Sequence, residues 1–184
     1  QTMQNNNSIA IGYKAGFKNQ KSHAIAIGHG AAASHVTGKE QGYQGLAIGN
    51  TAGYESQGQQ SVAIGHGAGY KDQGIGSTAV GNLAGYDSAG NYTVAIGNIA
   101  GYQRQSLNSV AVGNAAGYQD QSFNTIAIGR LTGYKRQDAE AIALGYYAGA
   151  VDQSFQSISI GTGAGQTNQK QQSIAIGREA GLNT

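Results

Sequence analysis

The sequence predicts an all-β chain wound as a parallel β-solenoid of about eleven 16-residue coils, and three observations carry that prediction. A five-residue phrase recurs throughout: Ser8-Ile9-Ala10-Ile11-Gly12, Ser61-Val62-Ala63-Ile64-Gly65 and Ser173-Ile174-Ala175-Ile176-Gly177, with close variants between. Its closing glycines are Gly12, Gly28, Gly49, Gly65, Gly81, Gly97, Gly113, Gly129, Gly145, Gly161 and Gly177, so every step is 16 residues except one of 21. Within the phrase the branched residues stand two apart, the period of a strand and not of a helix. Glycine twice per coil would also cost about 1 kcal/mol at each position inside a helix.

Each coil reads in columns when numbered from its closing glycine as zero. Positions −3 and −1 hold Ile, Val or Leu, as in Val62 and Ile64, with Thr78 the one departure. Two branched side chains on one side of a short strand predict a greasy inner face. Position −2 is Ala in ten coils of eleven, with Ser159 the exception, and is predicted to face outward. At +1, Asn50, Asn82, Asn98 and Asn114 follow the glycine, a pair suited to a tight corner. Position +3 is Ala except at Thr132, and +4 is Gly except at Ala32. Position +5 is Phe17, then Tyr54, Tyr70, Tyr86, Tyr102, Tyr118 and Tyr134, and +8 is Gln almost throughout, with Ala89 as the gap. A second strand is expected between +3 and +8 and the return turn at +9 to +11. Charges fall only at +1, +2, +6, +7, +9 and +11, apart from Lys39 and Glu40 in the longer step, and mark the solvent side.

Columns that accept almost only Ala, at −2 and +3, predict the close approach of another rod. A coil this short has a thin core, so packing as a trimer is expected to complete it. Residues 1–184 are expected to form a single solenoid domain, a fragment of a longer fibre, with a loop insertion within 33–40.

Composition narrows the function further. The chain has 31 glycines, no proline, no cysteine, no tryptophan and 11% charged residues, unlike an ordinary globular domain. A net charge of +2, evenly scattered, is no nucleic-acid footprint. No apolar run approaches the roughly 20 residues of a membrane helix, so direct membrane insertion is not expected.

The repeated Ser-Val-Ala-Ile-Gly of Ser61 to Gly65, and its variant from Ser109 to Gly113, resembles the head repeats of trimeric autotransporter adhesins, the YadA-like head. The resemblance covers all eleven coils. It implies a left-handed parallel β-roll, three of which pack side by side and bind extracellular ligands. The recurring Ala-Gly-Tyr, as at Ala52-Gly53-Tyr54, and the Gln at +8 depart from that pattern and look more like repeats of phage or large-virus attachment fibres.

No catalytic set emerges. Gly65-His66-Gly67-Ala68-Gly69 imitates a dinucleotide fingerprint, but the helix that must follow is not predicted. His23, His29, His35 and His66 are the only histidines, and His29 and His66 share a column two coils apart, too far for one metal. The chain is therefore expected to be no enzyme and to hold no cofactor or metal. The expected role is a structural and adhesive segment of an extracellular, cell-surface or virion-surface fibre: a rigid spacer with a possible receptor-binding surface for a cell-surface glycan or protein. The alternative is a monomeric ice-binding or carbohydrate-binding solenoid using the tyrosine ladder. Ligand contacts are expected from the outward residues His35, Lys39, Arg104 and Arg136, or from Tyr54, Tyr70, Tyr86, Tyr102, Tyr118 and Tyr134 where that ladder is exposed.

Overall fold

A computed structural model describes residues 4–18, 20–33 and 41–182. Among them there is no helix. Eighteen three-residue strands form two parallel sheets. The long sheet takes one strand from every coil, from β1 (Ile9–Ile11) to β18 (Ile174–Ile176), eleven in all. The short sheet has seven strands, from β4 (Glu55–Gln57) to β16 (Val151–Gln153), and occupies positions +6 to +8 of the coil. Register is strict: Val110 pairs with Ile126, Ala111 with Ala127 and Val112 with Ile128. The parallel β-solenoid with its 16-residue repeat is thus the fold. Eleven strands at about 4.8 Å spacing give a rod some 50 Å long.

Hydrogen bonds between coils run on through the corners. Val62 N–H donates to Ser77 C=O at 2.9 Å, Gly65 N–H to Ile48 C=O at 2.8 Å, and Gly67 N–H to Asn50 C=O at 2.9 Å. The chain bends by visiting left-handed backbone at five positions per coil: Gly113 (φ 130), Ala115 (φ 55), Gly117 (φ 51), Asp120 (φ 58) and Asn124 (φ 56) form one set. Position +2 accepts even Ile99 at φ 49, a conformation costing about 1–2 kcal/mol for a residue with a Cβ. Packing between coils holds it there.

Inside and outside are reversed from the sequence expectation. The Ala of position −2 is the core: Ala26, Ala47, Ala63, Ala111 and Ala127 are each 0% exposed. The branched neighbours at −3 and −1 point outward, and Ile96 and Ile128 are 40% and 42% exposed. The reason is width. The −2 Ala meets the corner Ala of +3, the Gly of +4 and the Gln of +8, and the interior has no more room. A methyl group added at Gly117 would stand 3.0 Å from the Ala111 Cβ and 2.6 Å from the Gln121 amide oxygen. Interiors pack to crystal density, so a coil this narrow selects small residues within and expels branched ones. The Ala columns therefore pack inside their own coil and form no contact surface with another rod.

Glutamine braces the two sheets. Gln57, Gln73, Gln105, Gln121, Gln137 and Gln153 are 1–3% exposed, and each amide nitrogen donates across the interior to main-chain oxygens. Gln137 Nε2 reaches Ile126 O at 2.9 Å and Ala141 O at 3.0 Å. Ladder bonds between amides join Gln121 to Gln137 and Gln137 to Gln153, each at 3.2 Å. The two exceptions in the Ala columns also find buried partners: the Thr132 hydroxyl donates to Gly145 O and the Ser159 hydroxyl to Gln169 Oε1. The Ser/Thr column at −4 is buried too, and Ser109 Oγ donates back to Ser106 O at 2.6 Å.

Ala89 interrupts the glutamine brace. Its neighbour Gln73 donates to Val62 O at 2.8 Å, and a glutamine at 89 would serve Thr78 O, the equivalent oxygen one coil on. Ala89→Gln is expected to stabilise the rod by about 1 kcal/mol, read as a higher denaturant midpoint with an unchanged slope. A lower midpoint would show that the interior around Gly85 has closed onto Ala89.

Candidate functional site

The corners and strands sort the outward residues into faces of different chemistry. Twenty-one of the twenty-two outward positions on the long sheet are Ile, Val or Leu, and none is charged. In plan this strip is about 50 Å by 10 Å, or about 500 Å². That already matches the largest apolar patch on a typical monomer. Polar ladders border it on both sides. On one, Asn114 Nδ2 donates to Asn98 Oδ1 at 3.1 Å and Asn98 Nδ2 to Asn82 Oδ1 at 3.0 Å. On the other, Asn108 Nδ2 donates to Asn124 Oδ1 at 3.3 Å. Beyond these ladders lie further apolar side chains, Ile75, Leu107 and Phe123 on one flank and Leu83, Ile99 and Leu131 on the other, the first three 40–44% exposed.

The short sheet carries charges instead. Arg104 grips Asp120 through both Nε and Nη2, the latter at 2.9 Å, and Arg136 grips Asp152 likewise, with Nη2 at 2.6 Å. The guanidinium hydrogen bonds hold the Asp120 and Asp152 carboxyls below their ordinary pKa. Lys71 and Asp87 add a looser pair at 3.8 Å. Exposed pairs of this kind contribute little to stability, but they mark this face as the one turned to water.

The tyrosine ladder lies at the corner between the faces. From Tyr54 to Tyr134, successive ring centroids are 4.9–5.2 Å apart and the planes lie within 3–18° of parallel. The rings are half-buried and cover one another's faces, leaving edges and hydroxyls outward. Burial first, and then the neighbouring tyrosines, raise the pKa of Tyr70 and Tyr102. A sugar stacks on an open ring face, and inside the ladder none is open.

Of the other expected contacts, Arg104 and Arg136 are exposed and already paired, while His35 and Lys39 lie outside the described residues. His29 stacks on Tyr13 with centroids 5.2 Å apart, and His66 sits 3.2 Å from the Asn82 amide. Among the described residues no three His, Asp or Glu side chains gather as a metal-binding group. The apolar strip, read from sequence as the interior, is the principal candidate surface. No family model, curated protein or solved structure matches the chain.

Proposed function

We propose that the chain is a structural and adhesive segment of an extracellular or virion-surface fibre, and that it associates as a homotrimer through the outward apolar strip. The observation carrying this reading is the Ile/Val/Leu surface of the eleven-stranded sheet, broken only by Thr78, opposite a charged one. Leaving such a strip in water forfeits about 25 cal/mol for every Å² that a partner would cover. Polar ladders beside the strip match the rim of a protein interface. Apolar side chains on both flanks give each chain two surfaces for neighbours, and a head-to-tail contact that closes after three copies satisfies both. The resemblance to adhesin head repeats points the same way. Within the fibre the rod is a spacer that holds binding surface away from its anchor.

Sedimentation equilibrium tests the association. The native chain is expected at three times its monomer mass, and Ile128→Lys combined with Val112→Lys is expected to give a folded single chain. Both side chains point outward, so the substitutions burden an interface and not a core. A native chain that sediments as a monomer at micromolar concentration would sink the proposal.

A further inference from the structure

Four residues from three columns meet near the C-terminal coils. Tyr146 and Tyr147 are the +1 and +2 residues of one coil, Gly163 leaves the next +2 position without a side chain, and Gln166 stands at +5, where the coils from Tyr54 to Tyr134 carry tyrosine. The result is a surface pocket of about 380 Å³, bounded by Tyr147 above Gly163 and by Glu179 and Leu182 below it. That is within the range of small-molecule pockets. Gly163 creates the opening. A Cβ placed there would find Glu179 Cγ at 3.5 Å, Leu182 Cδ1 at 3.7 Å and Gln166 Oε1 at 3.9 Å, all ordinary contacts. At Gly67, in the same column, Leu83 already fills the space, with its Cδ2 2.7 Å from such a Cβ.

We infer that this pocket binds a single neutral sugar residue. Among the described residues no aromatic ring stacks face to face on Tyr147; Tyr146 and Tyr147 form a T-shaped pair, centroids 4.6 Å apart and planes at 79°. An aromatic face carries negative potential and attracts the polarised C–H groups on the flat side of a pyranose. Around it stand the groups a sugar's hydroxyls need. The Gln166 amide, its oxygen turned toward the gap, both donates and accepts, and the Thr162 hydroxyl does the same. The Glu179 carboxylate, held 3.4 Å from Arg178 Nε, accepts. Leu182 supplies an apolar floor. One aromatic wall, a few convergent polar groups and a volume of this size fit a hexose, and a flat aromatic ligand would leave those hydroxyl-directed groups unused. The inference deepens the adhesive part of the reading above by naming a ligand class, but it stands on residues separate from the apolar strip.

The test is saturation-transfer difference NMR on the full chain with the methyl glycosides of glucose, galactose, mannose and N-acetylglucosamine. At least one is expected to receive saturation, strongest at its ring C–H protons. Gly163→Leu should abolish the transfer by plugging the pocket. The column already holds Leu83 and Leu131 at φ 53 and 55, close to the φ of 66 at Gly163, so the plug is compatible with the fold. Gln166→Ala, a residue found in its own column at Ala150, should weaken binding about tenfold, and it decides the matter if the plugged variant melts early. Ile128→Lys should alter mass without altering transfer, which separates this inference from the association. No transfer to any of the four glycosides overturns it, and so does undiminished transfer in both pocket variants.

Discussion

Gly97→Ala is expected to cost about 4 kcal/mol or more, the range in which single substitutions become diagnostic of a specific mechanism. Two effects add. Gly97 sits at φ 131, where a side chain is strained whatever the space around it. The added methyl group would also lie 2.5 Å from Gly113 O and 2.8 Å from Gly113 C, main-chain atoms of the next coil that cannot swing aside. The coils would have to separate at that corner, loosening the bond from Gly113 N–H to Ile96 C=O that now spans 2.8 Å. Gly177 supplies the control. Its φ is 117, yet nothing lies within 4 Å of the equivalent methyl, so Gly177→Ala carries the strain without the collision. Denaturant unfolding of the two variants separates the terms, and equal losses would show that close approach of coils contributes nothing.

A second large effect is expected from a pair of neighbours. Ala111→Leu adds three carbons to an interior that has no space for one, and overpacking of that kind typically costs 1–3 kcal/mol or more. Val110→Leu, one residue earlier, adds a single carbon to a side chain that points outward and should change the stability of an isolated chain by less than about 0.5 kcal/mol. Hydrogen exchange sharpens the comparison. Ala111→Leu should raise exchange in the coils closed by Gly97, Gly113 and Gly129 and leave distant coils protected, because strands touch only their neighbours along each sheet. If the outward change proved the more damaging, the burial pattern described for the long sheet would be wrong.

The contrast between these neighbours also shows what was legible beforehand. Repeat length, strand position and strand direction followed from the 16-residue spacing and the two-residue alternation, and the structure carries them all. The second strand was expected within +3 to +8 and occupies +6 to +8, because the left-handed residue at +4 still turns the corner before it. Alternation alone leaves two assignments of inside and outside, and hydrophobicity favoured the wrong one. The decisive signal was size: a position holding Ala in ten coils of eleven is under steric restriction, whereas Ile, Val, Leu and Thr78 interchange freely at −3. The recurrence of Gln at +8, with Ala89 the gap, carried the same message, since a surface amide has no reason to recur so strictly. The pocket beside Gly163 has no comparable signal: Tyr147 and Gly163 stand in a column that also holds Lys, Thr, Leu, Ile and Ala, and their meeting with Gln166 in space depends on a corner geometry that no single column encodes.

The hydrogen bonds that join one coil to the next point along the rod, and this governs how it answers a pull. Tension on the two ends passes through every seam in turn, and the terminal coils, bonded to a neighbour on one side only, peel away first while the remainder stay intact. Each released coil of 16 residues can extend to roughly 55 Å, against the ~4.8 Å it occupied in the stack. A rod built this way is stiff under bending and compression yet yields in steps under traction, lengthening about tenfold per coil before any covalent connection bears the load. As a tether it would absorb a sudden tug.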